Sequence, residues 1–197
     1  MKKFLSSDRI KAEALRLGFS ACGLAPAEAV DETVATAFRQ WLADGCQAEM
    51  AYMQNYEDKR LDPRLLVEGA RTVISVALNY YPAKKLPECE YQIAWYAYGK
   101  DYHDVMKGKL KELFEFIEKE VSFSKETDST IASTNNIGTY TENYASAPQA
   151  PVSQTSASPL QGRIFCDTAP ILERYWAWRT GLGWIGKNTQ LIIPHAG

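Results

Sequence analysis

The apolar positions of the chain change period several times, and each change predicts a boundary. Between Ser7 and Leu17, Ile10, Ala14 and Leu17 recur at helical spacing, with Ser7 able to cap the start and Gly18 placed where a left-handed residue closes a helix. FSACGLAP then reads as a short strand stopped by Pro26. A second helix is predicted from about Asp31 to Asp44, with Val34, Phe38, Trp41 and Leu42 on one face and Gly45 behind it. QAEMAYMQNYEDKRLDPRLLVEGAR gives a helical turn or two bearing Met50, Met53 and Tyr56, then a charged loop, then a short helix opening at Asp62 with Pro63 in its first turn. RTVISVALNYYP is the clearest strand. Val73, Ile74, Val76, Ala77 and Leu78 occupy both parities, the pattern of burial on both faces, and Pro82 ends the run.

The aromatic stretch YQIAWYAY alternates as a strand up to Gly99. Val105, Leu110, Leu113, Phe114 and Ile117 then mark a helix reaching roughly Val121, with Asp101 as its cap and His103 in its first turn. From Ser122 to Gln161 the pattern dissolves into Ser, Thr, Ala, Asn and Pro. Such a composition buries too little apolar surface to offset its ordering entropy, so residues 122–161 are expected to form a disordered, low-complexity insertion. Order is expected to resume in GRIFCDTAP, a strand ending at Asp167. A helix from about Ala169 to Thr180 opened by Pro170, a glycine-rich turn, and a last strand TQLIIP follow.

With 197 residues, 46% of them hydrophobic and 12% aromatic, the chain is long enough for one domain with a real core. A net charge of −2 gives no overall pull on nucleic acid, so any affinity for it must come from a local patch or from sequence outside this chain. The start, MKKFLSSDRI, breaks into polar residues before any apolar run of signal-peptide length, and no stretch approaches the ~18 apolar residues of a membrane span. The cytoplasm is the expected compartment. Cys22, Cys46, Cys89 and Cys166 are scattered without a C-x-x-C pair, which argues against a zinc or iron–sulfur site built by this chain alone; buried free thiols are expected.

GLGWIGKNT, Gly181 to Thr189, imitates two phosphate cradles at once: G-x-G-x-x-G, and G-x-x-x-x-G-K followed by Asn188 where Ser or Thr belongs. Both cradles need a strand before the glycines and a helix after them, because the anion sits on the free amides of that helix. Here the predicted order is inverted. A helix C-cap at Gly181 with a wide turn is one reading. Another is a wall loosened by glycine for a large flat ligand, with Trp184 offering a ring and Lys187 and Asn188 supplying donors.

At this point FCDTAPILERYWAWRTGLGWIGKNTQLIIP resembles the epoxyqueuosine reductase family, the cobalamin-dependent iron–sulfur enzymes that complete queuosine in tRNA. The resemblance rests on D-T-A-P-x-L-E-R from Asp167 to Arg174, on G-L-G-W-I-G-K-N from Gly181 to Asn188, and on YGKDYH from Tyr98 to His103. EDKRLDPRLLVEGARTVISVALNYYP is similar as well. It implies an α+β fold: a mixed or antiparallel sheet flanked by helices, with a nitroreductase-like tendency, in a single cobalamin-binding catalytic domain over 1–197. It also implies an iron–sulfur domain with two four-iron four-sulfur clusters, whose cysteine runs lie beyond Gly197. The implied partners are tRNA bearing epoxyqueuosine and an electron donor for the clusters, with no membrane and a monomeric state.

Carried over residue by residue, the resemblance makes Asp167 the proton donor and a cofactor contact. Removing an epoxide oxygen requires a proton delivered locally, and an apolar corrin face would desolvate this carboxyl and favour its protonated form. Read without the resemblance, D-T-A-P is also a helix-cap sequence. Arg60 matches a position at the cobalamin; on its own it reads as a solvated arginine. Ala94, Lys187, Asn188 and Leu191 fall in segments that line the corrin, the first and last through backbone or packing. His103 reads as a capping or supporting histidine rather than a cobalt ligand. Glu173, Arg174 and Arg179 read as a surface charge set or a tRNA contact. The rival functions are another corrinoid-dependent reductase, a non-enzymatic cobalamin carrier, and a flavin-binding domain. The fragment alone is expected not to turn over.

Overall fold

The computed structural model describes residues 5–134 and 160–194, the side chains of 123–134 excepted. Helix α1 (Ser7–Arg16) begins one residue inside its cap: Ser6, rather than Ser7, accepts the Arg9 amide, and Gly18 follows at φ +86°. Strand β1 (Ala21–Pro26) and strand β2 (Thr72–Ala77) form an antiparallel pair with Leu24 opposite Ile74. Between them lie α2 (Glu32–Ala43), a 3-10 turn at Ala51–Met53, α3 (Glu57–Leu61) and a second 3-10 turn at Pro63–Leu65. Asp62 caps that last turn by accepting the Arg64 amide, as its place before Pro63 predicts. The expected charged loop is instead helix α3, entered through Tyr56 at φ +57°.

The two-faced pattern of β2 has a concrete cause. Ile74 and Val76 pack with Cys22 and Leu24 against Ile10, Ala14, Phe19 and Leu113, the layer of α1 and of α4 (Tyr102–Thr134). Val73 and Ala25 point the other way, into a cluster with Val30, Ala35, Leu61, Tyr175 and Trp176. The last two belong to α5 (Glu173–Arg179), whose Trp176 is the most deeply buried large side chain among the described residues. Helices on both faces of a small antiparallel sheet give the α+β class predicted. Helix α5 also anchors α2, since the Tyr175 hydroxyl donates to Asp31 Oδ2 at 3.1 Å and accepts the Asp31 amide at 3.2 Å. On the opposite layer, Lys109 Nζ donates to the Leu17 carbonyl and Arg9 pairs with Glu120 at 2.5 Å, tying α4 to α1.

Four expectations are corrected. Helix α4 runs to Thr134, well past Val121, because once a helix is nucleated each further residue adds a hydrogen bond at little cost; the rest of the expected insertion, through residue 159, lies outside the described residues. YQIAWYAY forms no ladder. Its alternation reflects ring contacts: Tyr81 meets Trp95 edge-on at 4.9 Å, Lys85 sits over both rings, and Trp95–Ala97 is a 3-10 turn. GRIFCD is likewise unpaired. It lies directly on α4, where a Cβ at Gly162 would come within 2.4 Å of the Phe114 ring. Pro170 does not open a helix; tight bonds from the Ile171 amide to the Ala169 carbonyl and from the Glu173 amide to the Ile171 carbonyl delay α5 to Glu173.

The glycine motif folds as a helix stop and a hairpin. Gly181 ends α5 at φ +79°, with its amide on the Trp178 carbonyl and the Leu182 amide on the Ala177 carbonyl, the pairing of a Schellman cap. Strands β3 (Trp184–Ile185) and β4 (Leu191–Ile192) pair antiparallel. The two inner glycines serve this hairpin rather than a flat ligand. A Cβ at Gly183 would lie 2.0 Å from the Ile192 carbonyl oxygen, and one at Gly186 would lie 2.8 Å from the Ile192 side chain.

The sheet and α5 meet without a side chain between them, at Gly23. A methyl there would sit 2.2 Å from the Thr180 carbonyl oxygen. Gly23→Ala is therefore expected to destabilise the chain by about 3 kcal/mol, read as a lowered midpoint in urea with an unchanged slope.

Candidate active site

Asp167 is the centre around which the charged groups gather. It is a non-glycine residue at φ +56°, a left-handed turn that costs about 1–2 kcal/mol. Two hydrogen bonds hold it there. Its amide donates to Glu173 Oε1 at 2.9 Å, and its Oδ2 accepts the Tyr102 hydroxyl at 2.7 Å. A bond to a carboxylate contributes about 1.5–3 kcal/mol, enough to offset the backbone strain. The side chain is 53% exposed, and its carboxyl also lies within hydrogen-bonding reach of the Glu173 carboxyl. Asp167 thus does not serve as a helix cap, because α5 begins six residues later.

Helix α4 supplies the other wall. Asp101 caps it as predicted, taking the His103 amide at 2.9 Å, and its Oδ1 also shares a 2.8 Å hydrogen bond with His103 Nδ1. That bond leaves His103 Nε2 directed toward Asp167, 4.0 Å from Oδ2. The His103 and Tyr102 rings stack at 4.0 Å, and Tyr96 meets Tyr102 edge-on at 6.0 Å, joining the aromatic strap to the acid. A cleft of about 230 Å³ opens here, lined by Tyr96, Ala97, Gly99, Lys100, Asp101, Tyr102 and His103.

Burial, the Tyr102–Asp167 hydrogen bond and neighbouring negative charge act together on the groups around Asp167. The hydrogen bond to Asp167, then burial and the Asp167 charge, push the Tyr102 phenol up to about 12. Cys166, buried next door, is raised to about 11 by desolvation and then by Asp167 and Glu173. Desolvation also raises Glu173 above the ordinary carboxyl value; the Asp167 amide opposes this, and the Asp167 charge and a side-chain hydrogen bond between the two carboxyls add to it. Of the remaining cysteines, Cys22 is half-buried, while Cys46 and Cys89 are exposed because they lie in turns, so the expectation of buried thiols holds for Cys166. Among the described residues no group of three or more His, Cys, Asp or Glu is arranged to hold a metal ion.

The other candidate residues fall in three places. Arg60 is 8% exposed, not solvated. Its Nε and Nη2 donate to the Asn55 and Tyr52 carbonyls at 3.2 and 2.9 Å, fixing the turn before α3. Ala94 is exposed and starts the Trp95–Ala97 turn on the strap. Lys187 and Asn188 are exposed at the hairpin tip, where Asn188 Oδ1 accepts the Gln190 amide, and Leu191 is half-buried in β4. Arg174 donates to the carbonyl of Thr189, which stands at φ +65°, so α5 holds the hairpin tip directly. Glu173, Arg174 and Arg179 are therefore not a free surface set: each has a partner within the chain, Arg179 at 3.6 Å from Glu28. Sequence reading passes over Tyr102 and misjudges Glu173 and Arg174. The available signal was their fixed place inside D-Y-H and L-E-R.

Fold and site together define an α+β domain that presents one acidic side chain beside an aromatic cleft. A family model described as "Epoxyqueuosine reductase QueG, DUF1730" matches residues 60–131. An epoxyqueuosine reductase of Cellulophaga algicola is 42% identical over 191 residues, which cover 97% of this chain and 50% of that protein. The solved epoxyqueuosine reductase from Streptococcus thermophilus matches with a TM-score of 0.67 at 24% identity, over 95% of this chain and 42% of its own. A structure of epoxyqueuosine reductase with a tRNA-Tyr epoxyqueuosine-modified tRNA stem loop matches at 0.62 and 20% identity, over 95% and 41%. The resemblance to the epoxyqueuosine reductases is borne out, and the chain spans about half the length of the curated relatives it matches.

The raised Tyr102 phenol predicts an alkaline stability window. A group whose folded value exceeds its unfolded value of about 10 stabilises the fold fully below that pH and ceases to do so as pH climbs through about 12. Denaturant midpoints should fall between pH 10 and 12, and the fall should shrink in Tyr102→Phe.

Proposed function

We propose that the chain is the cobalamin-binding, acid-bearing part of an epoxyqueuosine reductase, which removes the epoxide oxygen of epoxyqueuosine in tRNA to give queuosine. On this reading it is one catalytic domain over 1–197, with a nitroreductase-like tendency and a low-complexity insertion over 122–161, acting as a cytoplasmic monomer. Electrons come from a donor by way of two four-iron four-sulfur clusters carried outside these residues. The observation that supports the reading is the half-exposed Asp167 carboxyl, held by Tyr102 at its side chain and by Glu173 at its amide.

The residues present fit a corrin. Trp95, Tyr96, Trp184 and Ile185 expose apolar surface of the kind a large flat ligand covers, and the Tyr98 hydroxyl is buried without a partner among the described residues. Lys187 and the Asn188 amide nitrogen are donors for peripheral amides or carboxylates, Ala94 and Leu191 contribute backbone and packing, and Arg60 has N–H groups beyond the two engaged with carbonyls. Cobalamin, when bound, supplies the two-electron chemistry at its cobalt.

The chain's own part is the proton. Opening the epoxide and releasing its oxygen as water consumes two electrons and two protons, and on this reading the Asp167 carboxyl delivers one of the protons to the departing oxygen. Tyr102 then stabilises the resulting carboxylate through Oδ2, with His103 Nε2 nearby. Solvent access on the exposed side returns the proton.

Asp167→Asn, tested in the full-length enzyme on epoxyqueuosine-containing tRNA, is expected to lower queuosine formation about 10²–10⁴-fold, with wild-type turnover dependent on added cobalamin. An unaltered rate in the variant, or turnover that ignores cobalamin, contradicts the reading.

A further inference from the structure

Helix α5 reaches Asp167 through Glu173. Glu173 is its first residue, and Glu173 Oε1 accepts the amide of Asp167, the residue at φ +56°. The five residues between them form a tight loop whose other internal backbone bonds, among the described residues, are from the Ile171 amide to the Ala169 carbonyl and from the Glu173 amide to the Ile171 carbonyl. Neither of these bonds reaches Asp167. The far end of α5 is immobilised by Tyr175, Trp176 and Ala177 in the core, so Glu173 projects from a fixed base onto a strained turn.

We propose that Glu173 is a positioning residue: by accepting the Asp167 amide it holds the left-handed turn that delivers the Asp167 carboxylate to Tyr102 and to the cleft. The inference deepens the reading of Asp167 as the acid and rests on it. The geometry is specific about chemistry. What Asp167 needs is an acceptor oxygen at this reach, not a negative charge, so a glutamine carbonyl suffices and a shorter carboxylate does not. Tyr102 reports the arrangement, because its ionisation depends first on the Asp167 hydrogen bond, with Cys166 and Asp101 as the lesser charged neighbours and the His103 and Tyr96 rings against it.

The test uses the 197-residue chain itself, in Glu173→Gln, Glu173→Asp and Glu173→Ala forms, with circular dichroism confirming the fold. Two quantities are measured: hydrogen exchange of the Asp167 amide, and the Tyr102 titration taken as the absorbance difference between each protein and its Tyr102→Phe counterpart. Glu173→Asp keeps a carboxylate at the helix start, so it stays informative where Glu173→Ala fails to fold. In the aspartate and alanine forms, amide exchange is expected to rise about tenfold or more, and Tyr102 to fall from about 12 toward about 10. Glu173→Gln is expected to keep both near the wild-type values. Protection and titration that survive in Glu173→Asp overturn the proposal, as does a glutamine form that behaves like the aspartate form. If both readouts move as expected while Asp167→Asn retains full turnover, Glu173 positions Asp167 and it is the acid assignment that falls.

Discussion

The site depends on the burial of one short helix. Seven residues are too few for a helix to hold itself together in water, so α5 exists because Tyr175 and Trp176 are buried against Ala25, Val30, Ala35 and Leu61. Full burial of a side chain the size of Trp176 contributes several kcal/mol, roughly 3–5 by the cost of truncating such residues. A hydrogen bond to a carboxylate at the site contributes less, about 1.5–3 kcal/mol. The core therefore fixes where Glu173 and Arg174 emerge, and these two adjacent residues reach in different directions: one to the Asp167 amide, the other to Thr189 at the hairpin tip. The acid loop and the hairpin that carries Lys187 and Asn188 are suspended from the same rigid base.

A second support comes from α4. Its cap, Asp101, orients His103, and the next residue along, Tyr102, bonds the Asp167 carboxylate. Asp167 is thus gripped at its backbone from α5 and at its side chain from α4, the two helices packing on opposite faces of the β1–β2 pair. This arrangement explains why a residue in a costly backbone conformation keeps a defined direction while staying half open to solvent. Burial first, with neighbouring negative charge adding to it, pushes the Cys166 thiol and the Glu173 carboxyl toward their protonated forms, and the Asp167 hydrogen bond does the same for the Tyr102 phenol.

Much of the fold was legible in the sequence because local signals and burial agreed. The Asp31 start of α2, the Asp62–Pro63 turn, the Asp101 cap and the two-faced β2 all stand where spacing placed them. The two mistaken strands share one cause. YQIAWYAY and GRIFCD carry strand-like patterns, yet a strand needs a partner edge, and periodicity says nothing about whether one is near. At the candidate site, the D-T-A-P motif singles out Asp167, whereas Arg60 reads as solvated because sequence does not reveal that two backbone carbonyls wait for its guanidinium. The glycines of GLGWIGKNT show the same limit. Their spacing imitates a ligand cradle, but the space beside Gly183 and Gly186 is taken by Ile192 of the same hairpin.

The central claim is that this chain, with its hairpin held by Arg174 and its acid held by Glu173, forms the wall of a cobalamin site. The most direct measurement is an absorbance titration of the purified chain with cobalamin, with FMN in parallel and Arg174→Ala as the comparison. The account predicts a saturable change in the cobalamin spectrum, none with FMN, and weaker saturation in Arg174→Ala. A saturable response to FMN with none to cobalamin would contradict it.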